Sequence, residues 1–270
     1  CGCGGIGIGA GCKNTLITSS KIDDISSTGI IIGWQRFIDH SPRRFFDTGW
    51  IDETKAPAQN KVINCEISNC GKVHHGANAI MVMFSEDTLI AHNRVHDITH
   101  IGISIGFVWE DHPSTIKRTI VKYNEIFNCM KKLSDGGAIY TLGYLPGTVI
   151  QNNYIHDILN GHGFYTDQGS SHVLFENNII FRTGLRGYNH NYGHHIIVRN
   201  NMFLKTGLSI DGKMWGDFKD ANFMIYPHFK NASVVMRNRA DFDTDLSFTF
   251  EKNIIFYTKG EYYRANFGKD

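Results

Sequence analysis

The 270-residue sequence has no run of 18 apolar residues, so no segment is long enough to cross a bilayer as a helix. It has only five prolines, and its 41% hydrophobic content argues against a disordered chain. Runs of lysine or arginine are also missing, and the 27 basic residues are balanced by 26 acidic ones. A chain without a dominant charge is not built to attract a polyanion. We therefore predict a folded protein with a neutral or weakly charged partner, no nucleic-acid partner and no membrane-spanning segment.

The six cysteines lack the paired spacing with histidine that is typical of zinc sites. Cys1 and Cys3 are too close in the chain for an ordinary structural disulfide, so we interpret the cysteines mostly as small buried residues. The first residues, CGCGGIGIGAG, lack the basic and hydrophobic regions of a signal peptide. Their glycine alternation predicts a coil already under way, and we expect a piece of a longer chain that continues upstream. A lipoprotein cysteine at position 1 is the alternative.

An internal repeat organises the chain. Eight ten-residue segments superpose without gaps: LITSSKIDDI, KVINCEISNC, LIAHNRVHDI, IVKYNEIFNC, VIQNNYIHDI, LFENNIIFRT, IVRNNMFLKT and TFEKNIIFYT. The fifth column holds Ser20, Cys65, Asn93, Asn124, Asn153, Asn178, Asn201 and Asn253. The seventh column is apolar throughout, with Ile22, Ile67, Val95, Ile126, Ile155, Ile180, Phe203 and Ile255.

The repeat predicts an all-β, single-stranded solenoid, a right-handed parallel β-helix. Apolar residues at alternate strand positions point into a shared core, and asparagine tolerates the left-handed bend between two strands and can stack its amide on the next coil. The period of two excludes a helical solenoid, and the coils exceed the three that a solenoid needs. We predict one domain over residues 1–270, with lateral insertions at about 34–60 and 208–247.

A second strand, usually opened by glycine, follows each asparagine strand: GIIIG, GISIGF, GAIYTLG, GFYTDQG and GYNHNYG. The early copies are mainly isoleucine and serine, whereas the copies from Gly137 to Gly193 carry tyrosine, threonine, aspartate, histidine and asparagine. We predict that a ligand lies on this polar face.

The stretch from Gly102 to Phe203 resembles secreted bacterial β-helix proteins related to pectin-lyase-like carbohydrate enzymes. The residues that carry the resemblance are GISIGFVW, LSDGGAIYTLGYLPGTVIQNNYIHDI, GFYTDQGSSHVLFENNII and GYNHNYGHHIIVRNNMF. Among enzymes of known activity the stretch looks most like glycoside hydrolase family 141, which includes α-L-fucosidase and xylanase activities. The resemblance implies two catalytic carboxylates, Asp135 of LSDGG and Asp167 of YTDQG, which act on a plant or host glycan.

Glycosidic hydrolysis needs one carboxylic acid to protonate the leaving oxygen and a second carboxylate to attack the sugar or activate water. The columns offset Asp135 from Asp167 by six residues, which a straight strand stretches to roughly 20 Å. The segment before Gly137 is longer than its counterparts, however, and Gly136 and Gly137 permit a bulge that returns Asp135 to the groove.

Other residues beside the polar strands are candidates for binding sugar. These are Tyr140, Tyr165, His162 and His190, and also Trp109 and Glu110, which leave the GISIGF strand as a stacking platform with a polar neighbour. His96 and His156 recur in the eighth column and are interpreted as structural. His194 and His195 begin a coil without matched acidic ligands, so we predict neither a metal nor another cofactor.

Two other functions share this fold. A polysaccharide lyase or uronate epimerase needs an acidic calcium-binding cluster or a basic residue, and the polar strands offer only Arg186. A non-catalytic carbohydrate-binding or adhesive solenoid needs aromatic and polar groups without two facing carboxylates. We predict a monomeric glycoside hydrolase that is secreted, periplasmic or on the cell surface, the location following from the resemblance alone.

Overall fold

The computed structural model describes residues 3–34, 53–191, 193–204, 223–225, 248–256 and 264–265. Strands dominate these residues, with a single 3-10 turn at Glu53–Lys55. No helix among them is long and apolar enough to span a membrane. Most of the two predicted insertions, including 35–52 and 226–247, lies outside the described residues.

The strands of the described residues form three sheets. The first sheet contains β1 (Ile6–Gly9), β4 (Ile30–Trp34), β7 (Ile80–Val82), β10 (Ile103–Ile105), β13 (Gly137–Thr141), β16 (His162–Thr166), β19 (Tyr188–His190), β22 (Phe223–Ile225) and β25 (Arg264–Ala265). The second contains β2 (Leu16–Thr18), β5 (Lys61–Ile63), β8 (Leu89–Ala91), β11 (Ile120–Lys122), β14 (Tyr144–Gln151), β17 (Ser170–Glu176), β20 (Gly193–Arg199) and β23 (Phe248–Glu251). The third contains β3 (Lys21–Ile25), β6 (Glu66–Cys70), β9 (Arg94–His96), β12 (Glu125–Phe127), β15 (Tyr154–Ile158), β18 (Ile179–Thr183), β21 (Met202–Leu204) and β24 (Ile254–Phe256).

Consecutive strands of the chain enter different sheets, and each strand pairs in parallel with strands of the neighbouring coils. The fold is therefore the predicted parallel β-helix. The eight repeat segments also stack in the predicted register, because Ile22 pairs with Ile67 at one end of the third sheet and Phe203 pairs with Ile255 at the other. The seventh column faces the core, where all its residues up to Phe203 are buried. The chain folds this way because no single coil can bury its apolar face without a neighbour.

The fifth-column asparagines form a hydrogen-bonded ladder along the solenoid. Asn178 Nδ2 donates to the carbonyls of Ile150 and Glu176 (both 3.0 Å) and to Asn201 Oδ1 (2.9 Å). Its Oδ1 accepts from the backbone N and the Nδ2 of Asn153, at 2.9 and 3.0 Å. The predicted stacking of amides is thus confirmed, and the ladder satisfies polar groups that are fully buried between coils.

The left-handed bend falls one residue earlier than predicted. Positive φ angles occur in the fourth column, for example at Asn152 (55°), Asn177 (57°) and Asn200 (54°), and not at the buried asparagine that follows each of them. Two separate tasks are therefore divided between adjacent residues. The fourth residue, which is at least partly exposed, turns the chain, and the buried fifth residue joins the coils.

The register of the first sheet also corrects the alignment of the strand glycines. Ile139 pairs with Phe164 of the next coil, so Ala138 lies in the column of Gly163 and Gly137 precedes that column by one residue. Asp135 consequently lies in the turn before β13 and not on a straight extension of the strand. The estimate of about 20 Å for the two carboxylates, which assumes such an extension, does not apply to this geometry.

Candidate active site

A cleft of about 440 Å³ lies over the middle of the first sheet. Its walls come from β7, β10, β13 and β16, from the turns at their ends, and from the residue that follows β19. The residues that line it are Gly76, Asn78, Met81, His100, Ile101, Ser104, Gly106, Phe107, Trp109, Asp135, Tyr140, Leu142, Tyr165, Asp167, Gln168 and Asn191. The structure thus brings the two predicted carboxylates into one cleft, together with three of the six predicted sugar-binding residues.

Asp167 is fixed at the end of β16. Its backbone N donates to the Thr141 carbonyl (3.0 Å), which continues the sheet by one residue. Its side chain is only 8% exposed. Both carboxylate oxygens accept a hydrogen bond, Oδ2 from the Tyr140 hydroxyl (2.5 Å) and Oδ1 from Asn191 Nδ2 (2.6 Å). Donors from the two adjacent coils therefore hold the carboxylate in one orientation.

Asp135 has a different environment, in the turn that leads into β13. Its side chain is partly open to solvent, yet the cleft removes enough water to raise the pKa of its carboxyl group. The negative charge of Asp167 raises that pKa further, and the charge of His100 opposes both effects. A group with a raised pKa keeps its proton to higher pH, so Asp135 is suited to donate one.

Close packing places Asp135 over the cleft. A Cβ atom on Gly136 would fall 2.8 Å from Ile101 Cγ1 and 3.2 Å from His100 Nε2. His100 Nε2 also donates to the Asp135 carbonyl at 2.8 Å. Only glycine allows the turn to approach the preceding coil this closely, which is the bend that the sequence predicts at this position.

Aromatic rings form two pairs on the walls of the cleft. Tyr140 and Tyr165 meet edge to face with centroids 5.3 Å apart, and Phe107 and Trp109 do so at 5.1 Å. Burial raises the pKa of the Tyr140 hydroxyl, and the neighbouring Asp167 raises it further, so this hydroxyl acts as a hydrogen-bond donor. Flat apolar rings beside carboxylates provide stacking surface and polar contacts for a sugar.

The structure does not bring His162, His190 or Glu110 to the cleft. His162 is buried behind Tyr165, with ring centroids 5.2 Å apart, and burial followed by the charge of Arg186 holds its pKa well below the usual range. His190 is 2% exposed and contacts Thr166 Oγ1 through Nδ1 (2.8 Å), and burial lowers its pKa to about 3.

Burial and the lowered pKa values make both histidines neutral groups of the interior, and neither lines the cleft. The Glu110 side chain is exposed outside the cleft. A Cβ atom on Gly169 would lie 2.5 Å from the Glu110 carbonyl carbon, so the Glu110 backbone packs directly against this glycine.

Sequence reasoning missed His100 and Asn78 as members of the cleft. His100 stands two residues before Gly102 and Asp135 two residues before Gly137, a likeness in sequence that could have drawn attention to His100, although Gly102 lies level with Ala138 in the sheet. Asn78 is buried, and its Oδ1 has no hydrogen-bond partner among the described residues. Asn78 lines the cleft, although this oxygen itself is closed off from solvent. A lone asparagine in a turn gives no such indication in the sequence.

A second group of titratable side chains lies outside the cleft, where the chain turns from the first sheet into the second. His172, His194 and His195 each place a ring nitrogen within 4.8 Å of the others. His194 Nε2 contacts the Asp111 carboxylate, which also accepts from Ser171 Oγ at 2.6 Å. Burial tends to raise the pKa of Asp111, but these two hydrogen bonds outweigh it, and the pKa lies below its ordinary value.

No protein-family model matches the chain, and no curated protein matches it in sequence. Solved structures do match. A glycoside hydrolase aligns with a TM-score of 0.56 and 21% identity over 73% of this chain and 32% of its own. A double mutant of the periplasmic alginate epimerase AlgG aligns with a TM-score of 0.54 and 12% identity over 98% of this chain and 61% of its own. Another AlgG structure gives a TM-score of 0.51 at 12% identity, over 95% of this chain and 60% of its own.

The chain therefore spans about a third of the glycoside hydrolase and about three-fifths of the epimerase. At these identities the likeness shows the fold, and the fold is one that enzymes acting on carbohydrates use. It does not distinguish hydrolysis from epimerisation, because function depends on the site and not on the scaffold.

Proposed function

We propose that the chain is a glycoside hydrolase in which Asp135 and Asp167 are the catalytic pair. The observation that carries the proposal is the meeting of two carboxyl groups with different environments in one aromatic cleft. A carboxyl group with a raised pKa beside a second carboxyl group that is held by hydrogen bonds is a basis for assigning an acid and its partner.

Asp135 is the general acid in this proposal. Its raised pKa and its access to solvent allow it to hold a proton and deliver it to the leaving oxygen. Asp167 is the carboxylate that attacks the sugar or activates water. Because the Tyr140 hydroxyl and Asn191 amide orient it, the reacting oxygen does not have to be positioned during the reaction.

The charge of the cleft favours a neutral sugar over a uronate. Among the described residues that line it, the acidic groups are Asp135 and Asp167, His100 is the titratable base, and there is neither lysine nor arginine. A uronate carboxylate would therefore meet two carboxyl groups without a strong positive partner. This observation supports hydrolysis of neutral glycans over lyase or epimerase chemistry on acidic polymers.

The experiment that tests the proposed function measures reducing ends released from neutral plant and host glycans and from uronate polymers. We expect the protein to release reducing ends from at least one neutral glycan, and an Asp135→Asn, Asp167→Asn double variant of unchanged thermal stability to release none. Release of unsaturated ends from a uronate polymer would contradict the proposal in favour of a lyase. Glycan binding without release by both proteins would instead support the adhesive solenoid.

The raised pKa of Asp135 predicts the shape of the pH–rate profile. A general acid must be protonated, so the rate should fall as the pH rises through this pKa, above the ordinary carboxyl value of 3.8. Since the charge of His100 lowers the Asp135 pKa, His100→Gln should move this alkaline limb to higher pH. Initial rates from pH 3 to 9 would show the limb, and an unmoved limb in His100→Gln would contradict the assignment.

We also propose that the protein acts outside the cytoplasm, as the periplasmic epimerase of the same fold does. Polymeric glycans are not cytoplasmic substrates in most cells, which is the support for this location. Fractionation of cells that express the full-length protein tests it, and recovery from the cytoplasm alone would overturn it.

A further inference from the structure

Three histidines outside the cleft are brought together by matching left-handed residues in two adjacent coils. In β17 and β20, Ser171 pairs with His194 and Val173 pairs with Ile196, so His172 and His195 are each left between two paired positions. Both have left-handed backbones, with φ angles of 59° and 52°. Their rings consequently stack, with centroids 4.5 Å apart and planes inclined by 25°.

The ring nitrogens converge as the ligands of a metal ion do. One nitrogen from each of His172, His194 and His195 lies within 4.8 Å of the other two, and the Nδ1 atoms of His194 and His195 are 2.5 Å apart. Ligand nitrogens that surround one zinc ion tetrahedrally are about 3.3 Å apart, given zinc–nitrogen distances of about 2.0–2.1 Å. The His194–His195 separation is shorter than that value and the upper limit of 4.8 Å for the group is longer, so the nitrogens are spaced on the scale of a metal site.

Asp111 sets the tautomer that such a site needs. The Asp111 carboxylate accepts a hydrogen bond from His194 Nε2, which leaves the lone pair of His194 on Nδ1, directed at His195. Ser171 Oγ donates to the other oxygen of Asp111 at 2.6 Å and fixes the carboxylate. A histidine that binds metal through one ring nitrogen and donates the other to a carboxylate is a recurrent arrangement in metal sites.

The loop that carries Asp111 is held against this turn by Gly169. Its φ angle is 71°, and a Cβ atom at this position would lie 2.7 Å from the Asp111 backbone nitrogen. The close approach therefore depends on glycine. This close approach brings Asp111 into contact with His194, which is 83 positions away in the chain. The contact lies beside the three imidazoles.

We propose that His172, His194 and His195 bind a divalent transition-metal ion, for which zinc is the best chemical match, and that Asp111 orients His194. Three neutral imidazoles suit zinc, and a three-histidine set leaves a fourth position for water or another ligand. None of the three histidines lines the cleft. The metal joins two coils and the loop that carries Asp111. The site is independent of the chemistry in the cleft.

Metal titration of the full chain, after removal of metal with EDTA, tests the proposal. We expect one equivalent of Zn²⁺ to bind and raise the unfolding temperature, and Co²⁺ to give the visible absorption of a tetrahedral site. His172→Asn and His195→Asn should each weaken Zn²⁺ binding by more than about 100-fold, and Asp111→Asn by about 10–100-fold. Asparagine tolerates the left-handed backbone at both histidine positions, so these variants should fold.

His92→Asn is the matched control. His92 is also a histidine with a left-handed backbone (φ 57°), but it is exposed in another coil and stacks on Tyr123. We expect its affinity for Zn²⁺ to equal that of the unchanged protein. The proposal would be overturned if the unchanged protein gave no Co²⁺ absorption and no saturable Zn²⁺ binding. Equal affinity in the His172→Asn and His195→Asn variants, or equal loss in His92→Asn, would overturn it as well.

Discussion

Replacing Asp167 by asparagine should lower kcat/KM for glycan hydrolysis by about 10²- to 10⁴-fold, the usual contribution of a positioned acid or base. Asparagine keeps the size of the side chain but cannot act as a base or nucleophile. It also presents an NH₂ group to one of the two donors, the Tyr140 hydroxyl or the Asn191 amide, that now meet carboxylate oxygens. Initial rates on the neutral glycan that the protein hydrolyses best are the measurement.

Asp157→Asn provides the control for this substitution. Asp157 is a carboxylate of the third sheet with a left-handed φ angle of 54°, which asparagine tolerates, and it pairs with Arg182 at the surface. Because a surface ion pair contributes little to stability, we expect full activity from this variant. Activity retained in Asp167→Asn, or lost to the same degree in Asp157→Asn, would exclude Asp167 as the catalytic carboxylate.

Replacing Asn178 by alanine should reduce the free energy of unfolding by about 3–5 kcal/mol, since it removes several net hydrogen bonds and leaves buried partners unsatisfied. Asn178 is 1% exposed and its side chain takes part in five hydrogen bonds of the asparagine ladder. Without its Oδ1, the backbone N and the Nδ2 of Asn153 each lose an acceptor in the interior. Urea unfolding followed by circular dichroism measures the change.

The neighbouring asparagine supplies the comparison. Asn177 is exposed and has a φ angle of 57°, which glycine adopts without strain. Asn177→Gly should therefore change the free energy of unfolding by less than about 1 kcal/mol. Similar losses in the two variants would mean that the turn conformation, and not the ladder, determines the requirement for asparagine.

The fold follows from the sequence because each coil repeats the same two requirements. An apolar seventh residue and a buried fifth asparagine recur at positions that differ only by whole coils, so the register can be predicted without the structure. The finer assignment of the left-handed bend was wrong, because Asn177 and Asn178 are the same residue type and their different tasks are visible only in three dimensions.

The candidate site was less predictable because its contacts join residues that are distant in the chain. Tyr140 and Asp167, which share a hydrogen bond, are 27 positions apart, and His100 and the Asp135 carbonyl that it contacts are 35 apart. The polar strands predicted the sheet over which the cleft lies but not which side chains are buried behind it. His190 has the sequence neighbourhood of a binding residue, yet its ring contacts the interior hydroxyl of Thr166.

The stacking of the first sheet also relates the number of coils to the length of ligand that the cleft can hold. Its lining residues extend from Met81 on β7 to Asn191 just after β19, five strands in all. Neighbouring strands are about 4.8 Å apart, so the cleft extends roughly 19 Å along the solenoid axis. Each coil contacts only its neighbours. Duplication or loss of one coil would therefore lengthen or shorten this surface by one strand spacing and leave the remaining coils intact. The size of the ligand that fits the cleft can thus change in evolution by whole coils.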